Sequence, residues 1–248
     1  MTGVQTCALP ISPDLSGELV PTPHQAEALA RTGAALASGG FAAFVLHGIT
    51  GSGKTEVYLR AIEQARRAGR ESVYLVPEIA LTPQLLARVR ERFGEGAAVL
   101  HSGLTPADRS FQWRRIRAGE VFLSIGARSA VFSPFSRPGL FIVDEEHDAA
   151  YKQEEGIRYH ARDLAVMRAK MEGAVVLLGS ATPSAESIHR ARTGEATLLS
   201  LPERIGGRDL PGIVVVDLAE RAARRGADRK STRLNSSHMS ESRMPSSA

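Results

Sequence analysis

The octapeptide Gly48-Ile-Thr-Gly-Ser-Gly-Lys-Thr55 is the tightest constraint in this sequence. It satisfies the pattern G-x-x-x-x-G-K-[ST], follows the apolar run 42–47 directly and opens a segment of helical period at 54–68. A backbone that folds back at Gly48, Gly51 and Gly53 turns successive N–H groups toward one point, and the following helix adds its positive end. The result is a cradle for phosphates. Gly48, Ile49, Thr50, Gly51, Ser52 and Gly53 supply its backbone. Lys54 is expected to reach the β- and γ-phosphates of ATP, and Thr55 to hold Mg²⁺ through its hydroxyl. A strand that ends in such a loop and continues as a helix belongs to an α/β layer structure.

The rest of the chain agrees with that architecture. Apolar runs at 42–47, 72–76, 97–101, 121–125, 140–143, 174–178 and 213–216 alternate with amphipathic stretches at 24–37, 54–68, 83–93, 106–118, 161–171 and 184–192. Nearly continuous apolar runs are what parallel strands show when helices cover both faces. The reading is therefore a single α/β unit with a mostly parallel sheet and helices on both faces. Ligands of such sheets bind beyond the carboxyl ends of the strands, so residues just after each run are the candidates for function.

The run at 140–143 ends in Asp144-Glu145-Glu146-His147. Acids at that point suit a nucleotide site: Asp144 can hold Mg²⁺, and Glu145 can orient and activate the attacking water. Lys54, Asp144 and Glu145 are thus the expected catalytic set. Three more segments follow strands: Leu75-Val-Pro-Glu-Ile-Ala-Leu-Thr-Pro-Gln84, Ile125-Gly-Ala-Arg-Ser-Ala-Val-Phe132 and Gly179-Ser-Ala-Thr-Pro-Ser184. Their small hydroxyl residues, among them Ser180 and Thr182, and the charge of Arg128 suit close approach to a phosphate backbone.

In this order behind a phosphate loop, these segments resemble motifs Ia, Ib and III of superfamily 2 helicases, with Asp-Glu-Glu-His as a DExH box. Gln25, ahead of the first strand, matches that group's adenine-contacting glutamine. The stretch Asp144-Glu-Glu-His-Asp-Ala-Ala-Tyr-Lys-Gln-Glu-Glu-Gly-Ile-Arg-Tyr-His-Ala-Arg-Asp163, with Phe132-Ser-Pro-Phe135, is more specific. It resembles the DEEH box and aromatic-rich loop of the PriA-type (primosomal protein N′) replication-restart helicases. The resemblance implies a RecA-like lobe of an ATP-driven 3′→5′ DNA helicase acting on single-stranded and forked DNA in the bacterial cytoplasm, associated with the nucleoid. It also implies primosome and single-strand-binding proteins as partners. Tyr151 and Tyr159 are expected to offer faces for base stacking, with Lys152, Arg158 and Arg162 as phosphate-facing charge and His147 and His160 beside them. Ile157 stands where tryptophan is common in that family.

Family members also carry an N-terminal DNA-binding region, a second lobe with an arginine finger, paired-cysteine zinc sites and a C-terminal domain. This chain is therefore expected to be the first motor lobe of a longer protein. Its 12–218 segment would be the ATP-binding domain and 219–227 the start of an inter-lobe connection. Zinc is expected in the longer protein, since this chain has one cysteine, Cys7, and no ligand set of its own. That count also excludes a disulfide scaffold. No apolar run approaches the ~20 residues of a membrane span.

Residues 1–11 and 228–248 resemble translated sequencing-adapter read-through and are set aside as foreign. The serine-rich tail carries Arg229, Lys230, Arg233 and Arg243 against Asp228 and Glu241, so half of the chain's +4 excess lies there. Two other readings stay open on the residues alone: a stand-alone P-loop NTPase acting on a small molecule, and a silent nucleotide-binding module.

Overall fold

The computed structural model describes residues 20–205. The predicted strand at 213–216, both adapter-like ends and the inter-lobe segment lie outside the described residues.

Among the described residues, seven parallel strands form one sheet: β1 (Ala42–Gly48), β2 (Glu71–Leu75), β3 (Ala97–Leu100), β4 (Leu123–Gly126), β5 (Pro138–Val143), β8 (Val175–Ser180) and β9 (Thr197–Leu201). Their spatial order is β3-β4-β2-β5-β8-β1-β9. Every residue of the central strands β5 and β8 is buried, as their continuous apolar runs require. The edge strands β3 and β9 alternate between buried and more exposed residues, because only one of their faces is fully covered. Six strands fall where the sequence places them, with ends moved by one or two residues. The edge strand β9 goes beyond the predicted set, since Thr-Leu-Leu-Ser-Leu is short and two of its five residues are polar. Within the aromatic-rich loop a two-stranded antiparallel hairpin forms, β6 (Lys152–Gln153) with β7 (Tyr159–His160), too short to leave a strand pattern in the sequence.

Among the described residues six α-helices flank the sheet, α1 ahead of the first strand and the other five between strands: α1 (Pro23–Ser38), α2 (Lys54–Arg67), α3 (Pro83–Phe93), α4 (Pro106–Arg117), α5 (Ala161–Glu172) and α6 (Ala185–Arg192). Three of them start with the dipeptide Thr-Pro: Thr22, Thr82 and Thr105 cap through their hydroxyls, with proline in the first turn. Proline loses nothing there, because the first helical N–H groups have no partner within the helix. Ser184 caps α6 in the same way.

Alternate residues of the strands feed two cores. Leu46, Tyr74, Ile142 and Leu177 face α1, α2 and α3, while Val73, Leu75, Phe141 and Val176 face Ile116 of α4 and Ala161, Ala165 and Ala169 of α5. This two-sided cover fixes the strand register and brings the ends of β1, β5 and β8 together, since these strands lie within three adjacent positions.

Candidate nucleotide and coupling site

The loop between β1 and α2 takes the shape its glycines allow. Gly51 and Gly53 have φ of 84° and 81°, values at which a Cβ is strained. Gly53 has a second reason: a Cβ there would overlap the side chains of Gln25 and Ile205. Lys54, the first residue of α2, donates from Nζ to the Gly48 carbonyl at 2.9 Å and lies 3.6 Å from Glu145 Oε1. Ser52 Oγ is buried without a hydrogen-bond partner. A cleft of about 740 Å³ is lined by the loop residues Ile49 to Thr55, by Asp144 and Glu145, and by Arg60, Arg88 and Arg92. Backbone N–H groups, an ammonium and a hydroxyl facing two carboxylates form the donor set a Mg²⁺–nucleotide needs, so the residues present fit that group.

Asp144 follows the last residue of β5 and is deeply placed. Burial, then the neighbouring Glu145 charge, pushes its carboxyl up to about 6. Glu145 has φ of 45°, and among the described residues no other non-glycine has a positive φ. Such strain persists where surrounding bonds over-determine it. Here the bonds are visible: Glu146 N–H donates to the Gly179 carbonyl at 3.0 Å and Asp148 N–H to the Glu145 carbonyl at 2.8 Å. The kink turns the Glu145 carboxylate back over the cleft, with Oε1 toward Lys54 and Oε2 3.5 Å from the Ala181 N–H and 3.8 Å from His147 Nδ1.

The same turn links the acidic box to the end of β8. His147 Nδ1 lies 2.7 Å from Ser180 Oγ and Nε2 3.4 Å from Thr182 Oγ1, while Thr182 N–H donates to Ser180 Oγ at 2.9 Å. Ser180 is fully buried, so it touches His147 rather than a phosphate backbone. Gln25 is also inside. Its Oε1 accepts from Thr22 N–H and its Nε2 donates to the Ser52 carbonyl at 2.9 Å, which fixes α1 against the phosphate loop.

The stretch after the box corrects two expectations. Tyr151 is 1% exposed, so its ring offers no face to a base. The Asp148 carboxylate accepts from Ala150 N–H, tightening a turn that drives the ring inward, and the phenol donates to the Asp144 carbonyl at 2.6 Å. Arg162 likewise points inward: its guanidinium meets the fully buried Glu146 at 3.1 Å and the Ser184 hydroxyl at 2.9 Å. Neither residue is a surface contact.

The remaining loop residues gather on the hairpin. Lys152, Arg158, Tyr159 and His160 line an open depression of about 520 Å³. Tyr159 stands edge-on to Phe132, with ring centroids 5.1 Å apart. Arg128 donates to the Lys152 carbonyl at 3.0 Å, and Lys152 pairs with Glu154 at 2.7 Å. Burial and the Arg162 charge lower the His160 imidazole below its ordinary range. Ile157, at the tip, is 85% exposed.

Tyr58, Tyr74, Glu146 and Ile205 join the site without being among the residues its motifs single out. Tyr58 carried a usable signal, being one helical turn beyond Lys54 and so on the same helix face. Ile205, whose N–H donates to the Gly51 carbonyl at 3.0 Å, carried none.

Among the described residues no group of three or more His, Cys, Asp and Glu could hold a metal ion, and no helix is long and apolar enough to cross a membrane. The sequence profile of the DEAD/DEAH box helicases matches residues 22–191. Replication restart protein PriA of Bacillus subtilis is 51% identical over 177 residues, 71% of this chain and 22% of its own length. The Haemophilus influenzae and Treponema pallidum proteins of that name are 46% and 48% identical over 187 and 186 residues. Each alignment covers 75% of this chain, and 26% and 28% of the relative. The chain thus spans about a quarter of the length of these relatives. RecG, in a structure bound to a three-way DNA junction, superimposes with a TM-score of 0.59 at 26% identity, over 78% of this chain and 25% of RecG. The Pyrococcus furiosus Hef helicase domain gives 0.54 at 17% identity, over 75% and 39%, which speaks for the fold alone. With a RecA-like parallel sheet, a phosphate loop facing an acidic box and a profile match over most of its length, the chain belongs to the DEAD/DEAH box helicase family.

Proposed function

We propose that the chain is the nucleotide-binding lobe of a PriA-type replication-restart DNA helicase, with residues 12–218 as its ATP-binding domain. The observation that carries this is the position of Glu145, which faces Lys54 with one oxygen and the Ala181 N–H with the other. A carboxylate so held touches the phosphate loop and the end of β8 at once, so hydrolysis and nucleic-acid engagement share one group.

Residues 48–53 cradle the phosphates, Lys54 neutralises their charge, and Thr55 and Asp144 hold Mg²⁺. When bound, the metal polarises the terminal phosphate and neutralises its developing charge. Glu145 orients and deprotonates the attacking water. Gln25, buried with both amide atoms bonded, sets the loop from behind through the Ser52 carbonyl and so acts on the nucleotide indirectly. Arg128, Lys152, Arg158, Tyr159 and Thr182 meet single-stranded DNA. His147, Tyr151, His160 and Ser180 pass its occupancy to Glu145.

In the longer protein, a second lobe supplies the arginine finger and paired-cysteine sites hold zinc. The whole works 3′→5′ on forked DNA in the bacterial cytoplasm, on the nucleoid, with primosome and single-strand-binding proteins. The test is ATP turnover by the longer protein with and without single-stranded DNA. DNA should raise turnover in the wild type, and Glu145→Gln should lower it at least ~100-fold while leaving ATP binding intact. DNA-independent turnover would favour a small-molecule NTPase.

A further inference from the structure

Two buried phenols end on one carboxylate. Tyr58 of α2 donates to Asp144 Oδ1 at 3.0 Å, and Tyr74 of β2 donates to Oδ2 at 3.5 Å. Both side chains are fully buried, and their rings meet at 5.5 Å between centroids, tilted by 60°. A phenylalanine would fill the same space. A phenol hydroxyl taken from water is unfavourable unless it finds a partner, and the partner of both is Asp144. The space for the Tyr58 hydroxyl is itself reserved, because a Cβ on Gly179 would overlap it.

A carboxylate oxygen has two lone-pair directions. One phenol on each oxygen leaves a direction free on both, and Glu145 N–H takes one of these on Oδ1 at 3.0 Å. The second direction on Oδ2 remains for a cation. Short acidic side chains rotate broadly about their last torsion, so two donors anchored in the core fix an orientation that packing alone would not. Tyr58 comes one helical turn after Lys54. The helix that delivers the ammonium to the cleft therefore also sets the carboxylate across from it.

We propose that Tyr58 and Tyr74 are positioning residues that hold Asp144 in the orientation from which it meets a nucleotide-bound divalent cation. The proposal rests on the reading of Asp144 as a Mg²⁺-holding group.

The test measures the affinity of the chain for a fluorescent ADP with and without Mg²⁺, and Mn²⁺ uptake with ADP by electron paramagnetic resonance. The proteins are wild type, Tyr58→Phe, Tyr74→Phe and Asp144→Asn. Tyr58→Phe should weaken binding about tenfold with Mg²⁺ present, leave the metal-free affinity within about twofold and broaden the bound Mn²⁺ signal. Tyr74→Phe, with the longer bond, should do the same to a smaller degree and serves if Tyr58→Phe does not fold. Equal losses with and without metal would overturn the proposal in favour of a packing role. If Asp144→Asn removes the metal enhancement and both phenylalanine variants keep it, the positioning proposal falls while the Asp144 assignment stands. If Asp144→Asn keeps the enhancement, or the wild type has none, the Asp144 assignment falls and takes the proposal with it.

Discussion

Arg162 and Glu146 form an ion pair at 3.1 Å in the interior, with the Glu146 side chain fully buried and that of Arg162 nearly so. Ser184 completes the set, donating to Glu146 from its N–H at 2.7 Å and its hydroxyl at 2.9 Å. Three segments that end or begin at the site are tied here: the acidic box after β5, the helix that follows the hairpin and the cap of α6. A buried pair of this kind fixes geometry more reliably than it adds stability.

Removing one partner should therefore harm far more than removing both. Arg162→Met strands a buried carboxylate and should lower stability by about 3–5 kcal/mol. Arg162→Met with Glu146→Leu should recover most of that loss. Urea denaturation of the two single variants and the double variant checks this. An additive double variant would show that the two side chains do not depend on each other.

Asp144 gives a pH signature. Its folded-state carboxyl is raised to about 6 from an ordinary 3.8, through burial first and then the Glu145 charge. The fold thus favours the protonated form. That contribution is complete below pH 3.8 and is lost as pH rises through about 6. Without nucleotide, Asp144→Asn should unfold at a higher temperature than wild type at pH 8, by up to about 3 kcal/mol in stability. The gap should close toward pH 4. A gap that does not change with pH would contradict the assigned origin of the shift.

Glu145 holds a left-handed backbone without being glycine, which costs about 1–3 kcal/mol. Glu145→Gly should raise the unfolding midpoint of the chain while ending ATP turnover in the longer protein. Loss of stability would mean that the Lys54 and Ala181 contacts outweigh the strain.

How much was legible follows from range. The phosphate loop, the helix starts at Thr22, Thr82 and Thr105 and the buried strands are local patterns, and each lies within two residues of its expected place. The inward turn of Tyr151 and Arg162 was not legible. An aromatic or an arginine in a polar loop reads as exposed unless its distant partner is known, and the partners here are the carbonyl of Asp144 and the carboxylate of Glu146. The edge strand β9 is hidden for another reason: its two polar residues, Thr197 and Ser200, fall on opposite faces and the open face carries the exposed Leu198, so its alternation is weak.

Tyr151 and Tyr159 should now separate in experiment. Tyr151→Ala empties a core position and should destabilise the chain by about 3–5 kcal/mol. Tyr159→Ala, at a half-buried ring, should leave the fold and the DNA-independent turnover of the longer protein nearly unchanged while reducing stimulation by single-stranded DNA. Equal stimulation in Tyr159→Ala and wild type would remove Tyr159 from the coupling path.

The most direct test of the whole reading is titration of the chain with ATP and Mg²⁺ by calorimetry, wild type against Lys54→Ala. The Lys54 ammonium, between the Gly48 carbonyl and Glu145, lines the cleft and is placed to meet phosphate charge there. Wild type should bind one nucleotide, and Lys54→Ala should weaken binding by about tenfold or more, the scale of a lost charge-assisted contact. Equal affinity in the two proteins, or no binding by wild type, would contradict the account.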